Sequence, residues 1–260
     1  MQQELQVALI QSNIVWEDPQ ANRIHFSSKI KEIPSAVDLI VLPEMFSTGF
    51  SMEPEKLAES MDGETVRWMQ SIAKEKRSAI VGSCIIVENK KYYNRILFVY
   101  PNGSIKQYDK RHAFTLAGED KSYTVGNEKL IVTYKGWKIC PLICYDLRFP
   151  VWSRNTEDYD LLLYVANWPK PRVNAWNSLL KARAIENMCY CIGVNRVGLD
   201  AANYEYSGNS IVIDYLGNEL TETIEYKEAI LIATLKTAPL EATRSKLAFL
   251  EDKDQFTIQV

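Results

Sequence analysis

One cysteine stands where an apolar run ends and a polar run begins. Residues 137–143 are predicted to form a buried strand, and Cys144 follows directly, before a polar segment that starts with Tyr145. A turn at that point would expose the thiol, and the next backbone N–H could face an oxyanion formed when the thiol attacks a carbonyl carbon. Because free cysteines are usually buried and inert, this segment alone favours a core role for Cys144.

A nucleophilic thiol needs a base or a positive neighbour, since its ordinary pKa of about 8.5 leaves it mostly protonated at neutral pH. The chain has only two histidines, His25 and His112. His25 lies on a predicted surface helix and is expected to be solvated. His112 lies in a polar loop after a strand and would have to serve any papain-like pair with Cys144.

A carboxylate and an ammonium group offer another way to activate Cys144. Glu44 follows the apolar run 38–42 and Pro43, and Lys110 follows the short predicted strand 105–108. Taken singly, either could be a solvated surface charge. However, Glu44, Lys110 and Cys144 all come directly after predicted strands, and active sites of layered α/β proteins form at the carboxyl ends of strands. The pattern therefore predicts one site that contains all three.

Three ordered segments resemble the nitrilase, or carbon–nitrogen hydrolase, superfamily. They are LPEMF at 42–46, YDKRH at 108–112 and ICYDLRFP at 143–150, and the resemblance extends over essentially the whole chain. It implies an amidohydrolase on a four-layer α-β-β-α sandwich, an α/β fold, and usually a homodimer formed through one helical face. The helix with Arg183 and the segment after Cys144 are expected near that interface.

The resemblance also implies roles for particular residues. Cys144 matches the nucleophile, Glu44 the general base and Lys110 the oxyanion stabiliser, while Glu119 best matches a second glutamate of the site. The backbone N–H of Tyr145 is the second expected oxyanion donor. Neither a metal nor an organic cofactor is implied.

Within the superfamily, bacterial omega-amidases give the closest resemblance. The supporting runs are CYDLRFPVWSRN at 144–155, YVANWP at 164–169, ARAIEN at 182–187 and NRVG at 195–198. This likeness implies hydrolysis of the terminal amide of 2-oxoglutaramate or 2-oxosuccinamate to the 2-oxo diacid and ammonia, through a thioester on Cys144.

Such a substrate carries a carboxylate that needs a cationic partner. Arg148 lies close to the nucleophile in sequence, and Arg172 lies in a loop after a predicted strand. Either could bind the carboxylate with two parallel hydrogen bonds, or could instead form a structural salt bridge. Asn167 and Trp168, from the YVANWP run, are the other substrate-binding candidates.

Strands and helices alternate along the chain and predict one mixed, layered α/β domain over residues 1–260. Helices are predicted at 18–33, with Ala21, Ile24 and Ile30 on the buried face, and at 64–76, with Val66, Met69, Ile72 and Ala73 buried. A third is predicted at 174–188. Strands are predicted at 5–10, 38–42, 79–87, 92–100, 105–108, 130–134, 137–143, 160–166, 190–195, 210–214 and 228–234, the last two framing a turn at 216–218.

Composition restricts the class of partner. The 260 residues carry a formal net charge of −3, from 30 basic and 33 acidic side chains. There is no basic excess that favours nucleic acid and no apolar run long enough to span a membrane, so a cytoplasmic protein acting on a small-molecule amide and water is expected. The spacings Cys140/Cys144 and Cys189/Cys191 do not favour zinc, because no histidine is near and no paired C-x-x-C exists.

Other functions remain open at this stage. A nitrilase, carbamoylase or aliphatic amidase would share the same three catalytic residues. A non-catalytic binding protein on this fold would be expected to have lost Glu44, Lys110 or Cys144, and all three are present. A serine hydrolase of the Ser–His–Asp type would usually show a G-x-S-x-G motif, which the chain lacks.

Overall fold

The structure is a computed structural model, which describes residues 3–34 and 36–259. Its helices are α1 (Pro19–Glu32), α2 (Pro54–Leu57), α3 (Glu64–Lys76), α4 (Glu119–Ser122), α5 (Pro150–Ser153), α6 (Val173–Asn187) and α7 (Thr237–Leu247). Its strands are β1 (Glu4–Gln11), β2 (Leu39–Val41), β3 (Ala79–Glu88), β4 (Lys91–Val99), β5 (Ile105–Asp109), β6 (Val132–Tyr134), β7 (Trp137–Ile143), β8 (Leu161–Ala166), β9 (Tyr190–Asn195), β10 (Val197–Leu199), β11 (Glu205–Ser207), β12 (Ile211–Ile213) and β13 (Ala229–Lys236).

Two large mixed sheets contain most of the strands. The six-stranded sheet has the order β13-β1-β2-β3-β4-β5, and the five-stranded sheet has the order β12-β9-β8-β7-β6. Strands β1, β2 and β3 run parallel, as do β7, β8 and β9. Because β3, β4 and β5 are successively antiparallel, β5 again runs parallel to β3. The carboxyl ends of β2, β3 and β5 therefore meet at the same edge of their sheet.

The alternation of side chains along β1 explains the layers. Val7 and Leu9 belong to the core cluster that also contains Leu163 of β8, so the two sheets pack face to face. Ala8, between them, belongs to a second cluster with Phe26 of α1 and with residues of α3. Helix α6 covers the outer face of the five-stranded sheet. The order of layers is thus helix, sheet, sheet, helix, which confirms the predicted α/β sandwich.

A glycine lets α6 approach the five-stranded sheet closely. A Cβ atom at Gly193 of β9 would lie 2.4 Å from Leu180 Cδ1 and 2.7 Å from Trp176 Cζ2. Both side chains are fully buried.

Among the described residues, no helix is both long enough and apolar enough to cross a bilayer.

The predicted elements are confirmed to within a few residues, apart from two details. In α1 the buried side chains are Asn22, Phe26 and Ile30. Of the predicted buried face only Ile30 is buried, since Ala21 is half-buried and Ile24 is 66% exposed. The turn at 216–218 forms, with Gly217 at a φ of 87°. However, its flanking strands lie in different sheets, because β12 pairs with β9 while β13 pairs with β1.

Candidate active site

The predicted catalytic side chains are brought together at the carboxyl ends of strands from both sheets. Glu44 follows β2, Lys110 follows β5, Cys144 follows β7 and Asn167 follows β8. Lys110 Nζ lies 2.9 Å from Glu44 Oε1, and Cys144 Sγ lies 3.9 Å from the backbone oxygen of Asn167. Residues that are more than 60 positions apart in sequence thus share one site, as the strand-end argument predicts.

Cys144 occupies a strained backbone position. Its φ is 42°, in the left-handed region that non-glycine residues adopt rarely and at a cost of about 1 kcal/mol. A short 3₁₀ helix, Cys144–Arg148, starts at this residue and turns the chain sharply away from β7. Cys144 is half-buried, whereas the other four cysteines are buried. This is the elbow that the change from apolar to polar sequence predicts.

Two carboxylates share the Lys110 ammonium group. Lys110 Nζ lies 2.9 Å from Glu44 Oε1 and 2.9 Å from both oxygens of Glu119, and all three side chains are at most 3% exposed. The backbone N–H of Phe114 donates to Glu119 Oε2 at 2.6 Å. Glu119, which the family resemblance suggests as a second glutamate of the site, is therefore in direct contact with Lys110. It lies at the start of α4.

Two asparagine side chains fix the orientation of Glu44. Asn94 Nδ2 donates to Glu44 Oε1 at 2.8 Å and approaches Glu119 Oε1 at 3.2 Å. Asn167 donates its backbone N–H to Glu44 Oε2 at 2.8 Å and its Nδ2 to Glu44 O at 2.7 Å. Charge-assisted hydrogen bonds of this kind hold a buried carboxylate in one orientation.

Burial and charge set the protonation states of the cluster. Burial alone would lower the pKa of Lys110, but the negative charges of Glu119 and Glu44 outweigh it and raise that pKa above its ordinary value. Burial raises the pKa of the Cys144 thiol, and the charge of Glu44 raises it further, while Lys110 opposes both effects. At neutral pH the resting site therefore holds a charged Lys110 ammonium and a protonated Cys144 thiol.

A cavity of about 310 Å³ opens next to Cys144. Its walls include Trp16, Phe50, Met52, Phe114, Tyr204 and Tyr206. Lys110, Tyr145, Asn167 and Trp168 also face it, so the predicted oxyanion and substrate-binding residues lie around one space. Trp168 donates its indole N–H to Arg172 O at 2.8 Å.

Arg148 and Arg172 both line this cavity. The Arg148 guanidinium lies 4.8 Å from the centre of the Trp168 ring, and that of Arg172 lies 5.2 Å from the centre of the Phe114 ring. Within the described part of the chain, each guanidinium group lies over an aromatic ring rather than against a carboxylate. The structural salt bridge that the sequence left open is therefore not formed by either arginine in this structure.

The histidines have other partners. His112 Nδ1 lies 2.8 Å from Asp146 Oδ1, and its ring stacks on Phe149 with 3.7 Å between the ring centres. His112 is therefore paired with Asp146, which argues against the papain-like pair of His112 with Cys144. The expectation that His25 is merely solvated was wrong, because His25 Nε2 lies 2.8 Å from Glu228 Oε1.

Sequence reasoning did not identify Asn94 or Asp146 as site residues. Asn94 is a polar residue inside β4, and only its contact with Glu44, 50 positions earlier, reveals its role. The one available signal was that Asn94, an uncharged polar residue, lies within the β-rich run YYNRILFVY at 92–100. Asp146 lies inside the nucleophile motif, where it was treated only as part of a polar turn.

Comparisons with known proteins match nearly the whole chain. The carbon-nitrogen hydrolase family model matches residues 6–245. Omega-amidase YafV of Yersinia enterocolitica is 44% identical over 254 residues, which cover 98% of this chain and 98% of the relative. A 2-oxoglutaramate amidase of Bacillus subtilis (strain 168) is 34% identical over 83% of this chain and 85% of its own length. The solved structure of XC1258 from Xanthomonas campestris, a CN-hydrolase superfamily protein with an arsenic adduct in its active site, has a TM-score of 0.96 and 41% identity. That match covers 98% of this chain and 99% of the other.

Proposed function

Because the chain belongs to the carbon–nitrogen hydrolase family, we propose that it is an omega-amidase. It hydrolyses the terminal amide of 2-oxoglutaramate or 2-oxosuccinamate and releases the 2-oxo diacid and ammonia. The observation that carries this proposal is the half-buried Cys144 thiol beside the Glu44–Lys110–Glu119 cluster, in a cavity with two guanidinium groups. The names of the Yersinia and Bacillus relatives support the substrate class.

In the first half-reaction Cys144 attacks the amide carbon. Glu44 accepts the thiol proton as the S–C bond forms, which avoids a free thiolate beside a buried carboxylate. The negative charge moves to the carbonyl oxygen, where the Lys110 ammonium and the backbone N–H of Tyr145 stabilise it. Removal of one such donor typically costs about 10²–10³ in rate. Glu44 then gives its proton to the amide nitrogen, the C–N bond breaks, and ammonia leaves behind a thioester.

In the second half-reaction water attacks the thioester carbon. Glu44 accepts a proton from the water, and the same two donors hold the second oxyanion. The C–S bond breaks, Cys144 Sγ recovers the proton from Glu44, and the acid is released. Glu119 keeps the Lys110 ammonium charged and in place, since it contacts Nζ with both carboxylate oxygens.

The setting of this reaction is part of the proposal. Residues 1–260 act as a single carbon–nitrogen hydrolase domain, with a small amide and water as its substrates. We place the enzyme in the cytoplasm, as a homodimer, with neither metal nor organic cofactor. The five-cysteine composition is compatible with a reducing compartment, because four of these thiols are buried in the core.

The decisive experiment is intact-mass spectrometry of the enzyme during turnover of 2-oxoglutaramate, combined with an assay for ammonia. We expect an adduct with the mass of the substrate less ammonia, and no adduct in Cys144→Ala. The matched control is Cys84→Ala, which removes the same atom from a buried core position and should retain the adduct.

A panel of other substrates defines the outcome that would contradict the proposal. Ammonia released from a nitrile or a carbamoyl amino acid, but not from 2-oxoglutaramate, would reject the omega-amidase assignment while leaving the thioester chemistry intact. No turnover of any amide, together with an unmodified Cys144, would reject the enzyme itself.

A further inference from the structure

One buried carboxylate joins the two chain segments that carry Cys144 and Lys110. Asp146 is fully buried and accepts four hydrogen bonds. Its Oδ2 accepts from Ile143 N at 3.0 Å and from Tyr108 OH at 2.8 Å. Its Oδ1 accepts from His112 N at 3.0 Å and contacts His112 Nδ1 at 2.8 Å.

The positions of these donors in the chain are informative. Ile143 immediately precedes the nucleophile, while Tyr108 and His112 lie two residues before and two residues after Lys110. The carboxylate of Asp146 therefore holds the backbone before Cys144 and both sides of Lys110 at the same time. The first segment extends the five-stranded sheet and the second extends the six-stranded sheet, so this contact bridges the two sheets at the active site.

The hydrogen bonds of Asp146 lie next to Cys144, where the reaction rate depends most strongly on the position of the side chain. Cys144 has a φ of 42°, and such a conformation persists only when the surrounding contacts enforce it. The bond from Ile143 N to Asp146 closes the turn across Cys144 on one side, and the contact between Cys144 Sγ and Asn167 O lies on the other. Displacement of reacting groups by about 1 Å can cost 10²-fold in rate.

The hydrogen bonds of Asp146 continue through Tyr108 to groups outside the active site. Tyr108 OH, which donates to Asp146, accepts from Trp152 Nε1 at 3.0 Å and from Arg111 N at 3.2 Å. Every side chain that contacts Asp146 is thus itself held by packing or by a further hydrogen bond. None of these groups is needed to move a proton in the reaction described above.

We propose that Asp146 is a positioning residue that fixes the Cys144 thiol relative to the Lys110 ammonium. The inference rests on the proposed amidase function and deepens it. A carboxylate is suited to this role because its two oxygens can accept all four donors, whereas an amide would present an N–H group to some of them. A neutral side chain of the same shape, such as that of asparagine, would therefore not hold all four donors.

The test compares Asp146→Asn with Asp160→Asn. Asp160 accepts from Lys138 N at 2.9 Å, near the start of the same strand, β7, and Arg244 Nη1 lies 2.9 Å from its other oxygen. In Asp146→Asn we expect kcat for 2-oxoglutaramate to fall about 100-fold while KM changes less than about threefold. In Asp160→Asn we expect some loss of thermal stability with kcat within about twofold of the parent.

A second measurement needs no amide substrate. The rate at which iodoacetamide alkylates Cys144, followed by intact mass, reports the position and environment of the thiol directly. We expect Asp146→Asn to change this rate at least about fivefold, and Asp160→Asn to leave it unchanged. If 2-oxoglutaramate is not hydrolysed by the parent enzyme, the proposed function fails, and the alkylation comparison still decides the role of Asp146.

Tyr108→Phe provides a milder change if Asp146→Asn does not fold. It removes one donor to Asp146, together with the acceptor of Trp152 Nε1 and Arg111 N, and leaves the carboxylate in place. We expect a kcat decrease of about 3- to 10-fold at constant KM. A folded Asp146→Asn variant with parental kcat and parental alkylation rate would overturn the inference. So would parental values in Tyr108→Phe when Asp146→Asn is insoluble.

Discussion

At the scale of single residues, Arg148 and Arg172 are the side chains proposed to select the substrate. Both line the cavity, and each lies over an aromatic ring. In the proposed mechanism Glu44 and Lys110 act on the amide group itself, which every small amide shares. Under that proposal the guanidinium groups are the features expected to favour an amide with a carboxylate at its other end.

Replacement of either arginine should separate binding of the carboxylate from the chemistry. We expect Arg148→Gln or Arg172→Gln to raise KM for 2-oxoglutaramate about tenfold or more, since a hydrogen bond to a charged group contributes about 1.5–3 kcal/mol. Turnover of a neutral amide such as butanamide should change little. Steady-state kinetics on both substrates measure this, with Arg67→Gln on the exposed side of α3 as the control. Unchanged KM values in both variants would remove the arginines from substrate recognition.

The three residues proposed to be catalytic could be singled out from sequence, but the residues that hold them in place could not. Glu44, Lys110 and Cys144 each follow a recognisable strand, and the family resemblance assigns their roles. Asn94 lies inside β4, and its neighbours in sequence do not indicate a role in the site. Only the structure shows that its Nδ2 donates to Glu44 Oε1 at 2.8 Å. Asp146 likewise becomes informative only when Tyr108 and His112 reach it from the other sheet.

At the scale of elements, one carboxylate joins β1, α1 and the approach to β13. Glu228 Oε1 accepts from Ser12 Oγ at 2.7 Å and from Asn13 N at 3.0 Å, while its Oε2 lies 2.9 Å from Lys29 Nζ. His25 Nε2 also contacts it. Partial burial works to raise the pKa of Glu228, but these hydrogen bonds and positive charges outweigh it and lower the pKa to about 2.

This lowered pKa predicts how stability depends on pH. A carboxylate with a depressed folded-state pKa contributes stability above its ordinary value of 4.5, and that contribution is lost as the pH falls from 4.5 towards 2. After allowance for solvent screening, we expect Glu228→Gln to lower the free energy of unfolding at pH 7 by about 1–2 kcal/mol. The difference from the parent should disappear near pH 2.

Urea unfolding at several pH values measures this difference, where the fold survives acid. Glu241→Gln, at an exposed position of α7, is the control and should leave the pH profile unchanged. A Glu228→Gln variant that is destabilised equally at pH 7 and pH 3 would contradict the assignment, because its effect would then be independent of the charge.

Local patterns predicted most elements, and their failures have physical causes. The predicted strands 79–87 and 92–100 flank a short polar segment, and in the structure β3 and β4 pair as a hairpin. The structure closes it with Asn89 and Lys90, whose φ values are 51° and 61°. Helix α7 was missed because only Leu240 of its residues is buried, so it lacks the apolar periodicity that identifies a helix. The separation of β12 from β13 depends on sheet pairing, which no local pattern records.

At the scale of the whole molecule, the family resemblance predicts a homodimer through a helical face. Ile185 of α6 is 48% exposed and Val151 of α5 is 56% exposed, on the two elements expected near that interface. Arg183 itself cannot reach a partner, because it is 3% exposed and donates to Leu147 O at 2.6 Å. Exposed apolar side chains on neighbouring helices are suited to burial against a second copy.

Light scattering coupled to size-exclusion chromatography tests this arrangement. We expect a particle of twice the chain mass of 29.8 kDa for the parent, and a monomer for Ile185→Glu, because a buried unpaired carboxylate opposes association. The matched control is Ile24→Glu on α1, where an isoleucine that is 66% exposed lies on the opposite outer layer. A monomeric parent, or a dimer that survives Ile185→Glu, would exclude this interface.

The pairing of β1 with β13 has a consequence for how the protein is made. Glu4 lies opposite Lys236, and the register continues to Gln11 opposite Ala229. Strand β1 can therefore complete its pairing only after β13 has been synthesised. During synthesis, β1 must leave the ribosome with one edge unpaired until about 230 further residues have followed. Contacts so distant in sequence slow folding, and an open strand edge is prone to join another chain. Glu44, Lys110 and Cys144 all emerge well before this closing strand, so the nascent chain carries these three side chains before the sheet is complete.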